Sequence, residues 1–572
     1  MKKVDYQIAV YTRLLCVLLL FLYLCFPLYL TAQHNLPQGD SYEKYYRLLQ
    51  ISGLTEDRAS FQLRPFVSSG SMSEQHTWDG IIQTGDFSSY IEHDRLSLKF
   101  FEPVWFQSYN TGLPRGGQDG AIWQGKGYNT AITTGLYFNY GPVHITFRPQ
   151  MGVAQNLSFD LGPHDPPRIT TNYFRGEASK YAYRDFGGRI DQPVRFGSDS
   201  YSWFDLGDSS FELRFSDFTA GLSNQRLWTG PGIHNSLQYG YNGPGFLHLR
   251  LGTYRPLETR IGAFEMMYVF GGIRKSEYFH EAVRNLHSVN SLAFVYSPRF
   301  ARGLSIGALR TFIHRYPEDF SEYLSQVSKM YESTVRVGLQ DEENPTGHDP
   351  DNQIASIFSR WYFPDSGFEL YFEYARNDHN VDLRDFRNHI NHHRAYLLGM
   401  QKTRMISGDK MLAVGLEMMQ SETTRSSLLR GNQHLGGWYV HSQQVVGFTN
   451  RGQILGTSFG PGANVQIFTA DLFNDLGLIG LTLARIVYHN SRTDQYFNRL
   501  IEANNSHVER WEIRNVEFMT GLRATLFTSY NFEVGASIEQ SWILNHHNIA
   551  GNDKHSTRFE ITVRKQLNGW LR

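Results

Sequence analysis

The chain has 572 residues, with 54 Lys and Arg against 55 Asp and Glu, so its formal net charge is -1. No basic excess or basic run is present to neutralise phosphates, which argues against nucleic-acid binding. Aromatics at 15%, charges at only 19% and 52 glycines are unlike a string of ordinary soluble domains, and a mean hydropathy of -0.40 excludes a helical membrane protein but not a β-barrel, whose strands average lipid-facing and lumen-facing side chains.

Residues 1–32 have the layout of a secretory signal: Lys2, Lys3 and Arg13, then an apolar run from Leu14 to Leu30, then Leu30-Thr31-Ala32 before Gln33. An uncleaved signal anchor is the alternative, because the apolar run is long. Both cysteines, Cys16 and Cys25, fall in this segment, so the mature chain is expected to contain no disulfide, Cys-based metal site or thiol nucleophile. Residues 33–90 are expected to form a periplasmic segment with one short helix. Asp40 and Glu43 have capping-box spacing, and Tyr42, Tyr45, Tyr46, Leu48 and Leu49 recur at helical spacing up to Gly53.

From about residue 91 the pattern has period two. Phe211-Glu212-Leu213-Arg214-Phe215, Phe368-Glu369-Leu370-Tyr371-Phe372-Glu373-Tyr374 and Phe559-Glu560-Ile561-Thr562-Val563-Arg564 each place apolar residues on one face and polar ones on the other. Short turns near 140–142, 216–217, 254–256, 298–303, 364–367, 407–409, 474–475 and 529–531 alternate with long polar or Gly-rich segments. The long ones are 107–129, 151–208, 227–245, 271–287, 315–352, 377–394, 421–462, 489–510 and 543–556. Strict alternation of this kind is expected of an outer-membrane barrel with short periplasmic turns and long external loops. Residues 91–572 are therefore predicted to form a transmembrane antiparallel β-barrel of about 18 strands. Residues 317–333 are expected to form a helix within an external loop, folded over the barrel mouth. Residues 341–353 form an acidic, turn-rich stretch.

No GxSxG elbow, SxxK or Walker loop is evident. Asp349, Asp351 and Asn352 lack the ligand spacing of a calcium loop, and His379, His389, His392 and His393 lack that of a zinc site. No catalytic residue, metal or cofactor is assigned. The most constrained stretch is 226–254, RLWTGPGIHNSLQYGYNGPGFLHLRLGTY, with Gly-Pro-Gly at 230–232 and again at 243–245. Proline fixes φ and glycine permits positive φ, so each copy is read as a rigid turn on the third external loop. Arg226, Trp228, Asn235, Tyr241 and Asn242 here, with Arg376, Asp378, His379, Arg384 and Asp385 on a later loop, offer aromatic faces beside Asn, Asp and Arg. Such groups suit the C–H faces and paired hydroxyls of sugar rings. The same residues also suit a second role, tying the loops to one another and bracing the mouth.

The stretches NTAITTGLYFNYGPVHITFRPQ (129–150), GRIDQPVRFG (188–197), WTGPGIHNSLQYGYNGPGFLHLRLGT (228–253), ENPTGHDPDNQIASIFSRWYFPDSGFELYFEYARND (343–378) and HHRAYLLGMQK (392–402) resemble the Wzi-type capsule assembly proteins of Gram-negative outer membranes. The chain departs from them at Thr229, where the family has a second Trp. The resemblance implies an outer-membrane barrel with a small helical periplasmic part. It also implies a lectin-like, non-enzymatic role in attaching capsular polysaccharide or exopolysaccharide at the cell surface. Partners would be that polysaccharide, outer-membrane lipid and the polysaccharide export machinery. A pore for glycans or oligosaccharides is the alternative function, and an outer-membrane hydrolase a third.

Overall fold

The computed structural model describes residues 41–55, 58–65, 77–78, 96–162, 189–281, 283–331, 351–377, 393–407, 410–424, 437–441, 444–490 and 509–565. It also describes 34–35, 67–68, 90–93, 387, 391, 493 and 497. Alternating side chains drive the chain into eighteen barrel strands. They are β1 (Leu96–Asn110), β2 (Gly127–Tyr140), β3 (Val143–Phe147 continuing at Gln150–Ala154), β4 (Tyr201–Asp205 continuing at Ser210–Phe215), β5 (Phe218–Ser223) and β6 (His248–Thr253). Next come β7 (Gly262–Arg274), β8 (Leu286–Pro298), β9 (Leu304–Arg315), β10 (Asn352–Phe363), β11 (Phe368–Asn377) and β12 (Arg394–Ser407). The last six are β13 (Lys410–Gln420), β14 (Asn464–Asn474), β15 (Gly477–Val487), β16 (Val516–Phe527), β17 (Phe532–Leu544) and β18 (Lys554–Lys565). Each pairs antiparallel with its neighbours in sequence, and β18 closes on β1 with Arg558 opposite Asn110. Among the described residues the eighteen strands close into a ring with each bonded on both sides, which is what a strand-built membrane protein requires. Long and short connections alternate around the whole barrel, as expected.

Parity sets the two surfaces. Outward positions carry Phe294, Ile306, Ile357, Leu483, Leu522, Phe559 and Ile561, all exposed as a lipid-facing belt. Inward positions of β7–β16 carry Val269, Val289, Leu309, Ile354, Leu397, Val465 and Ile486, which belong to one buried cluster with Leu227, Leu237, Tyr239, Trp438, Tyr439 and Phe448 from two long loops. The lumen is therefore a packed core. Elsewhere the inner wall is ionic: Arg360 lies 2.6 Å from Glu369, and Arg558 lies 3.3 Å from Glu539.

The N-terminal helix α1 (Ser41–Ile51) is present, and its position refines the expectation of a separate periplasmic segment. α1 is buried on nearly every side, its charged Glu43 and Arg47 included, because it sits inside the barrel mouth on the short-turn side. Tyr45 stacks on Trp78 at 4.4 Å and meets Phe473 at 5.3 Å, while the Trp78 indole donates to the Asn474 carbonyl (2.9 Å) at the β14–β15 turn. Arg47 donates to Glu369 (2.9 Å), Arg360 donates to Gln50, and the hydroxyls of Ser52 and Thr403 meet at 2.9 Å. The helix ends at Gly53 in the left-handed region (φ 71°). Asp40, half of the expected capping box, lies outside the described residues, and the Glu43 carboxylate pairs with Arg64 at 2.8 Å.

The external-loop helix α2 (Phe320–Ser328) also forms, with Asp319 as N-cap accepting from the Glu322 amide at 2.9 Å. It does not fold over the mouth. It lies on the outer wall, where the outward-facing polar residues Ser288 and Asn290 of β8 hydrogen-bond to Gln326. Within residues 341–353 only 351–353 are described; Asp351 binds Lys329 and lies 2.8 Å from His314.

Candidate functional site

The loop between β5 and β6, residues 224–247, turns inward. Trp228 and Thr229 form a short antiparallel ribbon with Leu63 and Arg64, so the segment following α1 and the Gly-Pro-Gly loop meet inside the lumen. Four side chains then follow one another in contact, with the two ring planes inclined at 57°. The Arg64 guanidinium lies 5.0 Å from the Trp228 ring, Trp228 lies 4.9 Å from Tyr241, and the Arg226 guanidinium lies 5.1 Å from Tyr241 on the far side. Carboxylates clamp both ends. Glu43 pairs with Arg64 and accepts from the Tyr241 hydroxyl at 3.3 Å, while Asp208 takes a two-pronged bond from Arg226 at 3.1 and 2.7 Å. Burial, reinforced by Glu43, raises the Tyr241 hydroxyl well above the usual phenol range. Burial likewise holds His234 neutral, with its pKa far below that of a free imidazole.

The middle of the loop hangs on Glu417 of β13. Its carboxylate accepts from the Ile233 amide (2.7 Å), the Asn235 side chain (2.9 Å) and the Tyr371 hydroxyl (2.9 Å). Asn235 accepts in turn from Thr457 at 2.8 Å, and Asn242 donates to the Ile454 carbonyl at 2.8 Å. Thr457 and Ile454 belong to the second inward loop, between β13 and β14. Its Trp438 and Tyr439 both donate to the Leu237 carbonyl, at 3.3 and 2.9 Å. Only Gly230 of the four Gly-Pro-Gly glycines has positive φ (82°). At Gly232 and Gly245 the need is room: a Cβ would run into the Asn235 and Asn224 carbonyls respectively.

Trp228 and Tyr241 are each 1% exposed and Asn235 2%. With Arg226 and Asn242 they form the interior of the plug, which corrects their expected exposure on an external loop. The physical reason is that aromatic and amide groups can be satisfied against a lumen wall supplying carboxylates and carbonyls. Beside the stack a cavity of about 200 Å3 remains, lined by Glu43, Lys44, Arg47, His234, Asp471 and Arg523 among others. Arg523 closes on Asp471 with two 2.5 Å bonds.

Arg376 is the one member of the second group placed at the outside. It faces outward near the loop end of β11, opposite Arg394 of β12. Asp378, His379, Arg384 and Asp385 lie outside the described residues. Among described residues the long-loop rim also carries groups that sequence reasoning did not single out. Trp511 is 71% exposed on a short 3-10 turn between Glu509 and Arg514, and Asn545 of the β17–β18 loop donates to the Arg514 carbonyl at 3.1 Å. His546 and His547 stand beside it with ring centroids 3.8 Å apart. An indole that exposed is rare enough to note on its own, but period-two patterning gives no signal for it.

A family model described as capsule assembly protein Wzi matches residues 124–555, most of the barrel and both inward loops. The chain belongs to the Wzi capsule assembly family. A structure described as Wzi, an outer-membrane protein involved in group 1 capsule assembly in Escherichia coli and a carbohydrate-binding β-barrel, superimposes with a TM-score of 0.58. At 12% identity the two share 94% of this chain and 100% of that one. OprD from Pseudomonas aeruginosa gives 0.37 at 10% identity over 82% of this chain and 92% of that one, too distant to carry an argument. Comparison with curated proteins found no match. Membership in the Wzi family and the closed barrel place the protein in the Gram-negative outer membrane. The departure at Thr229 has a structural setting: its side chain is fully buried and its hydroxyl accepts from the Tyr239 amide at 3.3 Å.

Proposed function

We propose that the protein binds exported capsular polysaccharide or exopolysaccharide at its external face and holds it at the outer membrane, without chemistry on the glycan. The observation that carries this reading is the filled lumen: α1 and two long loops occupy the space that a conduit would need. What a glycan arriving outside would meet is the long-loop rim, with Trp511, Arg510, His546, His547 and Asn545. Arg376 is proposed to contribute, together with Asp378, His379, Arg384 and Asp385 of the loop that follows it. Family membership supports the reading, as does the carbohydrate-binding Escherichia coli barrel. In this proposal Arg226, Trp228, Asn235, Tyr241 and Asn242 serve binding indirectly, by holding the plug on which the outer loops rest.

The test is binding of the detergent-purified protein to polysaccharide from its own host. Trp511→Ala is expected to weaken affinity about tenfold, the worth of one ring stacked on a sugar, with the melting temperature unchanged. Unchanged affinity would remove Trp511 from the site. Steady conductance of the intact protein in planar bilayers would favour the glycan-pore alternative, and turnover of lipid or glycan would favour a hydrolase.

A further inference from the structure

Helix α2 sits against the lipid-facing wall of the barrel. On β8 and β9 the outward positions near the long loops break the apolar belt. Above Phe294 and Leu292 come Asn290 and Ser288, and above Ile306 and Ala308 come Arg310 and His314. Facing hydrocarbon, such groups would be costly with only the partners the wall itself gives them, such as Gln353 for Arg310 (2.8 Å) and the Arg315 carbonyl for Ser288 (3.2 Å). α2 and the turn after it supply further ones. Gln326 accepts from Ser288 (2.8 Å), its carbonyl accepts from Asn290 (2.9 Å), the Met330 carbonyl accepts from Arg310 (3.0 Å), and Lys329 and His314 share Asp351. Tyr323 completes the seam, edge-on to Phe270 at 4.6 Å.

The remaining faces of α2 differ sharply. Gln326, Met330 and Tyr323 point to the wall. About a quarter-turn away, Phe320, Leu324 and Val327 form an i, i+4, i+7 stripe, extended by Tyr331 on the following turn. Phe320 is 71% exposed, Leu324 50% and Tyr331 79%. The opposite side carries Glu322 and Ser325, while Lys329 reaches back to Asp351 at the wall. Wall on one side, an apolar stripe on the next and polar residues opposite the stripe is the arrangement of a helix lying in a membrane interface. The stripe is also continuous with an existing apolar surface, since Leu292 and Phe294 of the belt follow directly on the strand that α2 covers.

We propose that Phe320, Leu324, Val327 and Tyr331 insert into the outer leaflet, making α2 a lateral membrane anchor fixed to the barrel by the polar seam. The occupant of this face is the acyl-chain layer of the outer-leaflet lipid. Site-directed spin labelling tests it in the full chain carrying Cys16→Ser and Cys25→Ser, which leaves no native thiol. Nitroxides are placed at Phe320→Cys, Leu324→Cys and, as the water-facing control, Ser325→Cys, in vesicles of phosphatidylethanolamine and phosphatidylglycerol. Collision with oxygen relative to a water-soluble nickel chelate is expected to be several-fold higher at 320 and 324 than at 325. Folding is checked by heat-modifiable gel mobility, and the exposed positions are chosen so that the label displaces nothing. Equal ratios at all three sites would overturn the proposal. So would low collision with both reagents at 320 and 324 accompanied by cross-linking between copies, which would mean that the stripe meets a second barrel.

Discussion

Trp228→Ala is the most direct probe of the plug. The substitution removes a ring that is 1% exposed and held between the Arg64 guanidinium and the tilted Tyr241 ring. Deleting a buried Trp or Phe side chain costs about 3–5 kcal/mol, transfer and cavity terms together. Here the loss falls on the inward loop and the helix segment, because Trp228 hydrogen-bonds through its backbone to that segment and not to a barrel strand. The local opening of this ribbon is therefore expected to become about a thousandfold more frequent, at roughly 1.4 kcal/mol per factor of ten. Hydrogen exchange reads it at two amides, Thr229, which donates to the Tyr239 carbonyl at 3.0 Å, and Gly230, which donates to the Gln62 carbonyl at 2.9 Å. Amides of β15 and β16 should keep their protection. Exchange at 229 and 230 that stays within tenfold of the parent would refute the claim that this stack holds the loop.

Glu417→Gln keeps the volume but turns an acceptor into a donor facing the Ile233 amide and the Tyr371 hydroxyl; about 1.5–3 kcal/mol of loop docking should be lost, seen as faster exchange at Ile233 and His234. Asp191, which accepts from the Ser276 hydroxyl at 2.6 Å, has its carboxyl raised by burial to about 6 from 3.8. A raised carboxyl favours the protonated folded form, so this contribution to docking is complete below 3.8 and is lost as pH rises through about 6, a swing of about 3 kcal/mol. Limited proteolysis of the external loops should therefore quicken between pH 4 and 7 in the parent, whereas Asp191→Asn should flatten the profile. In planar bilayers the intact protein should show no steady current, and a shortened loop lacking 231–245 should conduct.

The wall of the barrel was legible because period-two alternation and turn chemistry are local properties of the chain. Alternating long and short connections were enough to count strands and orient them. Which loops turn inward is not local. Trp228 and Tyr241 look the same in sequence whether they face a glycan or Arg64 and Glu43, and what decides is a carboxylate such as Glu417, nearly two hundred residues later. Helix α1 was predictable as a helix, but its insertion in the mouth depends on Glu369, Arg360 and Phe473, brought there only by closure. The position of α2 did leave a trace: Ser288, Asn290, Arg310 and His314 interrupt the lipid-facing register of two adjacent strands. Read as a requirement for a covering element, that interruption points to the outer wall and away from the mouth.

The lumen charges have a consequence for how the molecule comes apart. Every strand of the wall is bonded to its neighbours through its own backbone, so the cylinder owes none of its ladder to the plug. Arg47, Glu43 and Arg64, by contrast, have their partners across the boundary between plug and wall or within the plug itself. Water entering the mouth can solvate Glu369, Arg360 and Glu417 without breaking a strand pair. Heating should accordingly release the stopper at one temperature and dismantle the cylinder at a higher one, with a hydrated tube as the intermediate.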